Sequence, residues 1–266
     1  MQPTDSDSIP PTSPMAVQPD PASDSSAVAA GPARRWLLTL VAGAFAGFVA
    51  WLGGEACLDT IKPPRHAVNS KGLVLNITNR REIAVADAKN AGLAFALLGA
   101  SLGTGLGVAG GVARRSARKA TAAALIGLIV GAGGGAGMSL ALLPPYNAYK
   151  ARNADEAARD LILPLLVHSG IWSAVGGLAG LAYGLGLGER RRVPRIMLGG
   201  LVGAAVGTMA YELIGAAAFP AAQTTQFVSA TWPTRLFARL VVAVCAADGM
   251  VLAANAPRTP AGQPAT

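Results

Sequence analysis

Six apolar stretches constrain this chain more than any other feature, at about 36–54, 91–113, 120–143, 161–188, 196–219 and 236–257. The first three carry no charged residue and run to 19, 23 and 24 residues. At about 1.5 Å of rise per residue, each is long enough to cross a hydrocarbon core of about 30 Å. The pattern predicts an all-α integral membrane protein with six transmembrane helices. Composition agrees. Charged residues make up 14% of the chain, against roughly 25% in an average soluble domain. Glycine is abundant at 33 copies while aromatics are only 5%, so the helices must approach through small side chains.

The net charge of +8 does not indicate nucleic acid, because the basic residues flank the apolar segments; the bilayer is the expected partner. Cys57 and Cys245 give neither metal spacing nor a disulfide framework. Cys245, inside the last apolar stretch, reads as a small packing residue. No cofactor is expected.

Three regions follow. Residues 1–33 hold seven prolines, four aspartates and no Lys or Arg, and are predicted to be a disordered tail. Residues 34–258 form the membrane domain, and 259–266 a short disordered C-terminal tail. Ala44-Phe45-Ala46 fits a small-x-small cleavage site, but the polar leader and the apolar core are both long for a signal peptide, so the first segment reads as a retained helix. Basic residues set the orientation. Arg34-Arg35, the cluster Arg114, Arg115, Arg118 and Lys119, and the cluster Arg190, Arg191, Arg192 and Arg195 all fall on one side. The positive-inside tendency then puts both termini in the cytoplasm of a plasma (inner) membrane. The segment 55–90 argues against this, with six basic residues among four acidic ones.

Double arginines at 34–35, 114–115 and 191–192 recur about 80 and 77 residues apart. They divide the chain into three tandem helical hairpins, about 34–113, 114–190 and 191–258. Glycine recurs at every fourth position: Gly99, Gly103 and Gly107 in the second helix, Gly127, Gly131 and Gly135 in the third, Gly176, Gly180 and Gly184 in the fourth, and Gly199, Gly203 and Gly207 in the fifth. The outer loops match too, with Pro63-Pro64-x-x-Ala67 against Pro144-Pro145-x-x-Ala148. Asn79-x-x-Glu82 and Asn153-x-x-Glu156 read as N-caps of the second and fourth helices. Low-complexity Gly/Ala sequence produces similar matches without duplication. Rows of glycine let helix backbones approach closely; this packing is the preferred reading, and a pore or sliding surface the alternative.

No motif specifies a reaction. Gly99-Ala100-Ser101-Leu102-Gly103 matches a nucleophile elbow as text, but it lies mid-helix without the strand-to-helix turn such a serine needs. The chain lacks the G-x-S-G of rhomboid-type proteases, the P-x-D/E-x-x-K/R of mitochondrial carriers and the G-x-x-x-x-G-K-S/T of phosphate-binding loops. Four ionisable residues at membrane depth form the candidate polar path: Glu212, Asp248, His168 and Arg239. Charges there are costly and normally face the bundle interior in pairs. Glu212 and Arg239 are the expected pair. Asp248 has no evident partner; it is protonated, lines a wet cavity, or shows that the sixth helix sits shallow. Three functions stay open: a non-enzymatic scaffold or assembly partner, forming a homo-oligomer or binding a membrane protein; a small-solute or proton-coupled transporter; and, remotely, an intramembrane enzyme.

Overall fold

The computed structural model describes residues 31–70, 73–153, 162–218 and 228–257. The predicted tails fall outside these, apart from residues 31–33. Among the described residues are six long helices: α1 (Pro32–Ala56), α2 (Arg80–Ala113), α3 (Ala117–Arg152), α4 (Ile162–Leu187), α5 (Val193–Ala218) and α6 (Trp232–Asn255). A single 3₁₀ turn, Arg190–Arg192, precedes α5. All six helices are long and apolar enough to cross a membrane.

Local chemistry sets the helix ends. Pro32 opens α1 and Pro233 lies in the first turn of α6, where a missing N–H is harmless. Asn79 begins α2 with a reciprocal cap: its side-chain oxygen accepts the Arg81 N–H at 3.1 Å, while the Glu82 carboxylate accepts the Asn79 N–H at 3.2 Å. The second such motif does something else. Asn153 closes α3, its N–H donating to the Tyr149 carbonyl, and Glu156 lies outside the described residues. Pro144 and Pro145 sit inside α3, which runs on to Arg152, whereas Pro63 and Pro64 lie in an irregular link. The two proline pairs therefore do not occupy equivalent loops.

The link between α1 and α2 holds an element the sequence reading missed. Strands β1 (His66–Ser70) and β2 (Leu73–Ile77) pair antiparallel, with His66 opposite Ile77 and Asn69 opposite Val74. His66 reaches Glu82 at 2.9 Å, tying the hairpin to the start of α2. Asn90 clamps the preceding link by exchanging hydrogen bonds, both at 3.0 Å, with the backbone N–H and carbonyl of Ile61.

The even-numbered helices form the interior. Helix α2 touches α4, α4 touches α6, and α2 also meets α6; α1, α3 and α5 each lie against two of these three. Half of the most apolar window of α2 and of α4 is buried, and 44% of that of α6, against 33%, 22% and 28% for α1, α3 and α5. The outer helices turn apolar rows outward, such as Leu37, Val41 and Phe45 on α1 and Leu198, Val202 and Val206 on α5. That is the arrangement lipid requires, since an apolar side chain costs nothing against acyl chains.

Glycines occupy the closest helix crossings. A Cβ on Gly131 would run into the Gly99 carbonyl and one on Gly99 into that of Gly131; Gly103 and Gly127 stand in the same relation, and Gly135 faces Phe95. Gly107 meets the backbone of Ala123. Gly176 faces Gly200, Gly180 faces Ile196 and Gly184 faces Val193, along α4–α5. Gly199, Gly203 and Gly207 turn instead to α6, against Gly249, Cys245 and Val242.

Candidate functional site

The two ends of the bundle differ in what they bury. Toward the arginine-rich end, Leu106, Ala182, Tyr183, Leu187, Ile196, Ala246, Ala247 and Met250 are all fully buried. At this end Arg192 donates to the Ala254 carbonyl at 2.7 Å and Arg195 to the Pro257 carbonyl at 3.1 Å. Cations placed here satisfy carbonyls left open where α6 ends and complement its dipole.

Toward the β-hairpin end, two arginines one turn apart on α6 turn to α1. Arg235 makes a forked ion pair with Glu55, Nε to Oε1 at 2.6 Å and Nη2 to Oε2 at 2.7 Å. Its Nη1 donates to the carbonyls of Ser229 and Ala230, at 2.7 and 3.0 Å. Arg239 donates from Nη1 to the Ala50 carbonyl. Its guanidinium lies so close to Gly54 that any side chain there would displace it. Both arginines are buried, with 9% and 7% of their surface exposed. Nothing in one segment reveals that a carboxylate 180 residues away will pair with Arg235.

The expected Glu212–Arg239 pair does not form. Glu212 meets His168 of α4 instead, Oε1 to Nδ1 at 2.7 Å. The reason is helix rotation. Arg239 belongs to the row continuing through Ala243 and Ala247, which packs on Gly47 and Gly43 of α1. The face of α6 toward α5 carries Val242, Cys245 and Gly249. Equal depth is therefore not enough. Asp248 is half-buried, and its Oδ1 finds no hydrogen-bond donor among the described residues.

Two cavities adjoin the arginines. An inner one of about 30 Å³ is lined by Phe95, Leu98, His168, Trp172, Tyr211, Ser229, Arg235 and Arg239, among others. That is room for about two water molecules. Phe95 and Trp172 wall it edge-to-face, centroids 5.3 Å apart, and Tyr211 is hydrogen-bonded to Ser229. A vestibule of about 530 Å³, lined by Gly54, Asp59, Arg80, Asp87, Asn90, Asn147 and Lys150 among others, shares Ala94, Val228, Ser229 and Arg235 with it. Of the four residues of the predicted path, His168 and Arg239 line the inner cavity, while Glu212 and Asp248 line neither space. Among the described residues no three His, Cys, Asp or Glu side chains cluster as metal ligands. Ser101 sits within α2, between glycines that pack on α3.

Compared with known proteins, the chain matches no family model, and the comparisons with curated proteins and with solved structures found no match.

Proposed function

We propose that this chain is a non-enzymatic, multi-pass membrane scaffold whose glycine rows lock three helical hairpins into a rigid bundle, with both termini cytoplasmic, and that it assembles with a second membrane-embedded chain through the outer face of α3. One observation carries the reading. Besides the row that meets α2, α3 bears Gly133 and Gly137, exposed and, among the described residues, with nothing within 4 Å of where a Cβ would stand. A glycine in a helix costs about 1 kcal/mol relative to alanine, and within this chain these two gain nothing in return. Small residues four apart on a lipid-facing surface are what close association with another helix uses. The second row was hidden in the run Gly131-Ala132-Gly133-Gly134-Gly135-Ala136-Gly137, where only the 127–131–135 spacing stood out. The first partner to test is another copy. Gly133→Leu with Gly137→Leu should leave the monomer folded and abolish its cross-linking in native membranes. Unchanged cross-linking would remove this reading.

A second reading, recognition and transport of a small solute, is favoured by the vestibule beside the buried arginines. It relies on Arg239 and His168 rather than on a route through Glu212 and Asp248. Uptake by proteoliposomes tests it.

A further inference from the structure

The cluster of Arg235, Arg239 and Glu55 holds two positive charges and one negative. Both oxygens of the single carboxylate accept from Arg235, and the same charge also acts on Arg239. Arg235 uses four of its five N–H donors, one on Nε, two on Nη1 and one on Nη2. Arg239 differs. A guanidinium carries five N–H donors, and the hydrogen bond it makes runs from Nη1 to the Ala50 carbonyl. It is 7% exposed and lines the inner cavity. A buried guanidinium that shares its one counter-charge with a second guanidinium is expensive, and the cavity beside it has room for another counter-charge. Tyr211 and Ser229 share one hydrogen bond, which leaves one of their two hydroxyl protons free to donate.

We propose that Arg239 binds the carboxylate of a small organic anion entering from the β-hairpin end, its head in the inner cavity and its body in the vestibule. The head site, at about 30 Å³, admits a carboxylate and little more. The vestibule, at about 530 Å³, lies in the range of about 300–1,000 Å³ typical of small-molecule sites. Its Asp59 and Asp87 against Arg80 and Lys150 give the body mixed polar surroundings. Charge selection therefore falls on the buried end. The inference concerns recognition and deepens the second reading above; whether the anion then crosses is read separately.

The test uses the full chain in detergent, with sodium acetate, propionate or chloride compared against sodium sulfate at equal ionic strength. The thermal midpoint and the fluorescence change that is lost in Trp172→Phe should both saturate with acetate and propionate. Arg239→Gln should weaken the response at least tenfold, and Arg239→Lys should retain part of it. Should Arg239→Gln not fold, Ala238→Val supplies the comparison: it fills the inner cavity, keeps every charge, and should also weaken binding at least tenfold. No saturable response in the wild type, an undiminished response in these variants, or a response to chloride alone would overturn the assignment. Binding without uptake into proteoliposomes would uphold it and remove only transport.

Discussion

Replacing Gly131 by leucine tests the packing at its tightest point. A Cβ at this position would lie against the Gly99 carbonyl, well inside the 3.0 Å that real Cβ atoms essentially never cross. The obstacle is backbone, so no side chain can rotate away. Helices α2 and α3 must part by about 1 Å or more, and the crossing points at Gly103–Gly127 and Gly135–Phe95 on the same interface open with them. A gap of that size forfeits a quarter to a half of about 0.1–0.2 kcal/mol on each of several tens of atom pairs, or about 1–3 kcal/mol in all. Overpacking in soluble cores costs a similar amount. Hydrophobic burial cannot compensate, since both faces are apolar and lipid is the alternative contact. Thermal unfolding in mild detergent, followed by size-exclusion recovery, is the assay. Gly131→Leu and Gly203→Leu should lower the midpoint strongly and reduce monodisperse recovery, while Leu at exposed Ala122 on the same helix should change little. If both glycine variants unfold like the wild type, the interfaces are open rather than packed, and the scaffold argument fails.

The Glu55–Arg235 fork should show strong coupling: Glu55→Ala alone costs about 3–5 kcal/mol by leaving a buried guanidinium without its carboxylate, and adding Arg235→Met recovers most of it, so additive losses in a double-mutant cycle would refute the pairing. Lysine at Ile129, 70% exposed on the outer face of α3, should impair membrane insertion by about 2.5–3.5 kcal/mol. Lysine at Val85, in the second turn of α2 next to Glu82 and Asp87, should be tolerated. Equal insertion of both in a glycosylation-mapping assay would move the membrane boundary.

Helix number and class were legible because apolar length and low charge are one-dimensional properties, and so was the Asn79–Glu82 cap, which is local. The β-hairpin was hardly legible: Leu73–Ile77 is rich in Leu, Val and Ile, but His66–Ser70 holds a single valine, and Lys71-Gly72 is not among the residue pairs that two-residue hairpin turns favour. Pro144-Pro145 misled because a proline pair normally stops a helix, yet α3 continues to Arg152. The polar site was the least legible part. Depth in the membrane follows from counting residues, and it placed Glu212 and Arg239 together. Azimuth does not follow from counting, because each residue turns the helix by about 100°, so only contacts among several helices decide that Arg239 faces α1. Arg235 and Glu55, at the ends of their helices, offered no sign of burial.

The scaffold and transport readings place opposite demands on the α5–α6 contact. Below the inner cavity the core is sealed by fully buried residues on α2, α4, α5 and α6, so no solute can pass without helices separating. A scaffold never needs that separation. Cys245 is a native reporter of it: it is half-buried, and its β-carbon and carbonyl lie against Gly207 and Gly203 of α5. A charged, water-soluble thiol reagent reacts with thiolate in water and not with a thiol packed between helices or facing lipid. With Cys57 changed to serine, Cys245 should stay unlabelled in membranes under every solute condition if the bundle is a permanent scaffold. Labelling that rises on adding acetate would show water reaching the α5–α6 interface in response to a ligand. That outcome transfers the weight to transport, because a rigid bundle gives a ligand at Arg239 no means of exposing a thiol more than one helical turn away on the face of α6 that packs on α5.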